Sequence, residues 1–141
     1  MFVKTLLNQA LCREVSIKEV DVLKKSLVID EQKCPYYQVQ WGLTKGIIAK
    51  ESEASSENIQ IRITEYKPFF EHSMHAHETQ EEIIFVLEGK GYSETSDGKK
   101  ELYPGCAAYV PKGVPHATVN PYDEPMKAIV IKVPPDKEVL K

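Results

Sequence analysis

From Tyr37 to Val133 the chain breaks into short segments of strand-forming residues, each ended by a turn signal after about ten residues, a spacing that favours antiparallel β architecture. Tyr37, Val39 and Trp41 alternate with Gln38 and Gln40, and Ile59, Ile61 and Ile63 alternate with Gln60 and Arg62, the period of two of half-buried strands. Between them, the polar, Ser-rich Glu51–Asn58 reads as an exposed loop. Further on, Ile83–Leu87 is an unbroken apolar strand, and Asp97-Gly98 sits where a tight turn would join Tyr92–Glu94 to Glu101–Tyr103. Pro104-Gly105, Pro111-Lys112-Gly113 and Asn120-Pro121 punctuate the next segments, and Met126–Val133 supplies a last strand. Many short strands at close, even spacing imply a barrel or a double-sheet sandwich. The one helical signal lies earlier: Ser16-Ile17-Lys18-Glu19 is a capping box, with Val20 and Leu23 at helical spacing from Ile17, which predicts a short N-terminal helix.

A chain of 141 residues has length for one core, so residues 1–141 are expected to form a single domain with a barrel core at about 37–133. The net charge of −3 and the absence of any long Lys/Arg cluster give no basic field, which argues against a nucleic-acid partner. Met1–Leu11 is interrupted by Asn8 and Gln9 and lacks a small-residue cleavage site, so it does not read as a signal peptide. No apolar run approaches the roughly 20 residues that span a bilayer. A soluble, cytoplasmic protein without a membrane partner is the expectation. Cys12, Cys34 and Cys106 are odd in number and widely spaced, which favours free thiols over a disulfide framework or a thiolate zinc site.

The chemistry is concentrated in two segments. In the first, His75-Ala76-His77 is followed after four residues by Glu82 and six further on by Gly89. Residues two apart on a strand point to one face about 6 to 7 Å apart, so both imidazoles could converge on one ion. Glu82 is expected on the neighbouring strand, sharing a face with Ile84 and Val86. A carboxylate among apolar side chains is costly to bury without compensation, and a cation is one natural partner. The second segment runs Gly105, five residues, Pro111, one residue, Gly113, two residues, His116, three residues, Asn120.

Together the two segments resemble the paired motifs of the cupin family, G-x5-H-x-H-x3-4-E-x6-G and G-x5-P-x-G-x2-H-x3-N, with fifteen residues between Gly89 and Gly105. The resemblance covers about half of the chain. It implies an all-β cupin double-stranded β-helix, a jelly-roll barrel, preceded by the short helix. It further implies one divalent transition metal held by His75, His77, Glu82 and His116, with water or substrate completing the coordination. Glu82 is preferred to Glu81 because only it keeps six residues before Gly89. Three imidazoles and a carboxylate suit Fe, Mn, Ni, Zn, Co or Cu, and affinity alone does not choose among them. Such a site should weaken below about pH 6, because imidazole must be neutral to ligate.

Two positions depart from the family pattern. Phe69 stands where the first motif glycine should fall, leaving either a differently built turn or, with Phe70, two aromatic rings at the barrel mouth. Cys106 stands where relatives of this type usually carry Asp. His72 lies at odd separation from His75 and His77, so in a continuous strand it would face away from the metal. Trp41 and the Tyr36-Tyr37 pair read as packing residues. No Ser-His-Asp or Cys-His nucleophile arrangement and no Gly-rich phosphate loop occurs.

The function this reading favours is a metal-dependent enzyme acting on a small organic molecule, with a dioxygenase-like oxidoreductase with an apolar pocket placed first. The alternatives are a metal-dependent isomerase, lyase or decarboxylase, and a non-catalytic small-molecule or metal-binding cupin. A homodimer is expected, because Ile83, Phe85 and Leu87 would face away from the barrel interior and need cover.

Overall fold

The computed structural model describes residues 26–141, in which ten strands form two antiparallel sheets. The strands are β1 Tyr37–Val39, β2 Gly42–Ile48, β3 Gln60–Tyr66, β4 Phe70–His75, β5 Glu81–Glu88, β6 Gly91–Thr95, β7 Gly98–Leu102, β8 Ala107–Val110, β9 His116–Asn120 and β10 Met126–Val133. One sheet has the order β1-β2-β3-β10-β5-β8 and the other β4-β9-β6-β7. This is the double-sheet barrel expected of the motifs. A 3-10 turn at Glu31–Lys33 is the one helical element among the described residues. The expected helix around Ser16–Leu23 and Cys12 lie outside them.

The sequence places most strands correctly. Ile83–Leu87 falls inside β5, and Met126–Val133 is β10. The β6–β7 hairpin closes through Ser96-Asp97, with Thr95 paired to Gly98 and the Thr95 hydroxyl accepting the Asp97 N–H at 3.2 Å. Trp41, read as part of a strand, instead occupies the turn between β1 and β2.

Register orders the interior of the larger sheet into rungs. Tyr66 of β3 pairs with Met126 of β10; Thr64 with Ala128, and Ala128 with Val86 of β5; Arg62 with Val130, and Val130 with Ile84; Gln60 with Lys132, and Lys132 with Glu82. All of these but Lys132 are buried, and Lys132 is half-buried. Tyr66, Ile84, Val86, Leu102, Met126, Ala128 and Val130 form the apolar core, against which Trp41, Cys106 and Ala108 pack.

Strand β3 is the instructive case. Its alternation is real, but the polar set Gln60, Arg62 and Thr64 faces inward with Tyr66, while Ile61 and Ile63 face outward. Ile63 is still buried, because the chain before β1 folds over that outer face. There Lys45, the register partner of Ile63, is buried in an ion pair with Glu31 and lies 4.4 Å from the centre of the Tyr36 ring. Glu51 also departs from its expected place in an exposed loop. Its side chain is buried, within 2.5 Å of the inward-facing Arg62 guanidinium, since an inward-facing arginine needs a buried anion.

Candidate metal centre

Four side chains meet at one end of the barrel. Ligand atoms of His75, His77, Glu82 and His116 all lie within 4.8 Å of one another. His75 is the last residue of β4 and its register partner across the small sheet is His116, the first residue of β9. His77 lies just past the end of β4, where its carbonyl accepts the Gly113 N–H at 2.9 Å, tying it to the Pro111-Lys112-Gly113 turn. Glu82 comes from β5 in the facing sheet, not from a neighbour of β4 as the sequence led us to expect. The cluster therefore bridges the two sheets.

Hydrogen bonding orients the rings. His75 Nδ1 lies 2.6 Å from the Ser73 carbonyl and His116 Nδ1 lies 2.9 Å from the Val114 carbonyl. A carbonyl can only accept, so both rings carry a proton on Nδ1 and, when neutral, offer an Nε2 lone pair to the cluster. Those lone pairs point at the other ligand atoms. His75 Nε2 is 3.2 Å from His77 Nε2, and His116 Nε2 is 2.8 Å from Glu82 Oε2, which is also 3.7 Å from His77 Nε2. Converging lone pairs at these separations repel unless a proton or cation lies among them. Metal–nitrogen and metal–oxygen bonds of about 2.0 to 2.2 Å suit ligand atoms spaced this way. The residues present fit a divalent ion, and the set of three nitrogens and one oxygen suits a transition metal.

The protonation pattern agrees with that geometry. Burial opposes the charge on Glu82, but hydrogen bonds from His116 and then His77 outweigh it and hold the carboxyl far below the usual range. Burial pulls His116 down too, yet its bonds to Glu82 and to the Val114 carbonyl raise it on balance. His75 is pushed down, chiefly by burial. The rival carboxylate Glu81 points outward and accepts the Tyr109 hydroxyl at 3.1 Å.

His72 overturns its expectation. Its ring stacks on His75 with centroids 3.9 Å apart and on Trp41 at 3.6 Å, so it joins the site instead of facing away. The cause is a register irregularity in β4 between His72 and His75, which removes the strict alternation that the odd spacing relied on. Burial and the neighbouring His75 lower the His72 pKa to about 3, so it stays neutral. Trp41 both packs on the core and lines the cavity.

The two departures from the motif pattern also resolve. Phe69 adopts the left-handed conformation, φ 59°, that a glycine would take there, so the turn is kept despite the substitution. Neither Phe69 nor Phe70 lines the cavity; both are exposed, and the Phe70 ring lies 3.7 Å from Lys67 Nζ. Cys106 Sγ accepts the Tyr103 N–H at 3.1 Å, the turn-closing bond that a short side-chain acceptor makes. The motif Asn120 is fully buried and structural: it donates to the Tyr66 and Glu124 carbonyls at 3.0 and 2.8 Å and accepts the Tyr122 N–H.

Beside the cluster opens a cavity of about 440 Å³, walled by His72, His77, Glu82, Trp41, Arg62 and Lys132 among others, and by Asp136 and Leu140 of the segment after β10. Its polar wall was hidden in the sequence. Arg62 and Thr64 alternate with isoleucines, and a period of two says that two faces differ without saying which one faces the interior.

Comparison with known proteins fits the fold and the motifs. Residues 62–132, half of the chain, match the family described as Cupin domain (Cupin_2). An uncharacterized protein, MJ1618 of Methanocaldococcus jannaschii, is 35% identical over 72 residues, a match that takes in 48% of this chain and 58% of that protein. Among solved structures, KdgF from Halomonas sp. is similar with a TM-score of 0.69 at 19% identity, covering 81% of this chain and 97% of that one. The polyketide cyclase RemF from Streptomyces resistomycificus has a TM-score of 0.70 at 20% identity, covering 83% and 85%. Ectoine synthase from P. lautus has 0.68 at 14%, covering 79% and 80%. Matching family model, paired motifs and double-stranded β-helix agree, and the chain belongs to the cupin superfamily.

Proposed function

We propose that this cupin holds one divalent transition metal through His75, His77, Glu82 and His116 and acts on a small polar organic molecule bound in the adjoining cavity. The observation that carries the reading is the convergence of three imidazoles and a carboxylate, two of the imidazoles fixed through Nδ1, within 4.8 Å at the edge of that cavity. A bound ion there supplies Lewis acidity to a coordinated carbonyl or carboxylate. Arg62 and Lys132 offer charge and hydrogen bonds to the rest of the molecule, and Trp41 and His72 offer a flat apolar side.

That wall favours isomerase, lyase, decarboxylase or cyclisation chemistry over the oxygen-activating reaction first expected, which called for an apolar pocket. The names of the similar structures, a polyketide cyclase and an ectoine synthase, lean the same way. A dioxygenase-like oxidoreductase stands second, supported by a nitrogen-rich donor set that suits iron. Elemental analysis of purified protein tests the metal reading: about one metal per chain is expected, lost in His75→Ala and in His116→Ala. Full occupancy in both variants would overturn it. Oxygen uptake by iron-loaded protein presented with small organic acids would move the second reading ahead of the first.

We also read the chain as a homodimer. On the outer face of β10, β5 and β8, Phe85 is 38% and Leu87 36% exposed, beside the exposed Tyr109, and the register sets Ile129 opposite Phe85 and Ile131 opposite Ile83. Fully burying a large apolar side chain gains roughly 1.5 to 3 kcal/mol, so covering the exposed part of each of these gains a fraction of that, and the patch as a whole favours pairing of two such faces. Sedimentation should then report about twice 16.0 kDa, falling to one chain in Phe85→Glu. A monomer in both would remove the dimer without touching the metal reading.

A further inference from the structure

Behind the cavity wall, reached through Lys132 and Asp136 that line it, lies a second constellation that the metal cluster does not use. Asp136, in the segment after β10, places its carboxylate among donors from three separate elements. Gln60 Nε2 of β3 donates to Oδ2 at 2.8 Å, Gln80 Nε2 ahead of β5 donates to Oδ1 at 3.1 Å, and Lys132 Nζ of β10 lies 3.0 and 3.2 Å from the two oxygens. Gln60 is 2% exposed, and its carbonyl end accepts the Asp136 N–H at 3.2 Å, so both ends of a buried amide serve this one residue. Arg62, the other cation of the wall, is already paired with Glu51. Lys132 is the register partner of both Glu82 and Gln60, which puts the cradle on the same rung as a metal-ligand position. Adjacent strands lie about 4.8 Å apart, so the cradle begins one strand from the metal cluster.

Beyond Asp136 itself, the segment that carries it is lightly held. Apart from the bonds to Asp136, the segment is tied by Gln80 Nε2 to the Pro134 carbonyl at 2.9 Å and by Lys50 Nζ to the Lys137 carbonyl at 2.8 Å. Lys137, Glu138 and Val139 are exposed, and few buried apolar contacts oppose local opening.

We propose that Gln60, Gln80 and Lys132 form a carboxylate-recognition subsite next to the metal centre, and that the chain fills it with its own Asp136 until a small organic acid displaces it. The ligand class follows from the spacing: a carboxylate for the cradle and, one strand away, an oxygen able to reach the metal. The segment after β10 then acts as a strap that a carboxylate ligand lifts from the cavity. This deepens the metal-dependent reading and rests on it for the second half of the ligand, while the cradle itself can be tested without metal.

The test uses malonate as the probe, titrated calorimetrically into dialysed, metal-free protein. A tethered carboxylate competes at an effective concentration in the millimolar range, so Asp136→Ala should bind malonate about tenfold more tightly than the parent chain. Asp136→Asn, which keeps the size but not the charge, should fall between them, and Lys132→Met added to Asp136→Ala should lose the gain. In the unsubstituted protein, malonate should speed hydrogen exchange of the Asp136 amide, which Gln60 holds. No gain in folded Asp136→Ala or Asp136→Asn together with no change in exchange would overturn the subsite, as would equal binding by the Lys132→Met double variant. Metal content of the same samples, measured after reloading, keeps the readings apart. One metal per chain with no malonate gain removes only the subsite, and malonate gain without metal removes only the metal centre.

Discussion

At one end of the barrel, β3 and β10 turn Tyr66 and Met126 inward; further along, β3, β10 and β5 turn Gln60, Lys132 and Glu82 inward. Thr64, Ala128 and Val86 and then Arg62, Val130 and Ile84 step between the two. At the apolar end, burial of hydrocarbon stabilises the fold, and the polar groups present are fully paired, as Asn120 is with the Tyr66 and Glu124 carbonyls. At the polar end, carboxylates and imidazoles are held close to one another in positions that cost stability without a cation or proton to share. Stability and chemistry are thus separated along the strands, not between sheets or domains.

The sharpest way to break this comparison is to remove a ligand. His75→Ala should take metal content from about one per chain to near zero, yet change the stability of metal-free protein little, because the half-buried His75 ring carries few core contacts. Elemental analysis and a denaturant melt on one sample report both. A large loss of metal-free stability would mean that the polar end also supports the fold.

Met126→Ala is the converse. Met126 is fully buried, and its sulfur lies against Gly91. Truncation should cost about 2 to 4 kcal/mol in urea unfolding with metal content unchanged. If metal is lost as well, the two ends are coupled.

A smaller effect separates the ends by pH. His72 and His75 have folded pKa values pushed below the ordinary 6.5, so in the metal-free protein the unfolded chain takes up protons at these positions that the folded chain refuses. Stability from these two is present above pH 6.5 and falls as the pH drops below it. Glu82, held low, adds a loss as the pH falls below its ordinary 4.5. His116 runs the other way, its raised value adding stability below 6.5 that is lost as the pH rises. The large depression of His72, to about 3, sets the net sign, so the melting temperature of metal-free protein should decline from pH 7 to pH 5. His72→Phe, which keeps the stack on Trp41, should flatten that decline, whereas Met126→Ala should leave its slope unchanged. An identical slope in His72→Phe would assign the decline elsewhere.

The smallest effect lies outside both ends. Phe69, 70% exposed and left-handed, gives up backbone energy that a glycine would not, so Phe69→Gly should raise stability by up to about 1 kcal/mol. No gain would mean that the Phe69 side chain recovers that strain through contacts of its own.

Motif spacing made the four-residue cluster readable, because His75, His77, Glu82 and His116 sit at fixed offsets from the turn glycines Gly89, Gly105 and Gly113, all of which have positive φ here. Parity made β5 readable: Glu82, Ile84 and Val86 are buried while Phe85 and Leu87 are exposed, as the alternation required. Three things escaped for physical reasons. The inward face of β3 was hidden because its outward isoleucines are also covered, so hydrophobicity did not mark the interior. His72 was hidden by an irregularity in β4 that leaves no sequence trace. Asp136 was hidden because a single aspartate in a polar stretch carries no local signal; only the folded chain brings it to Gln60, 76 residues away.

The stack of Trp41, His72 and His75 gives the protein an optical property. Trp41 is the one tryptophan in the sequence, and its indole lies parallel to His72 within 15°, with His72 in turn on a proposed metal ligand. An ion with a partly filled d shell accepts excitation from a nearby indole, whereas a filled shell does not. Emission from this chain therefore reports on the electronic state of whatever His75 holds, without an attached dye: copper, nickel, cobalt or iron would darken it and zinc would leave it bright.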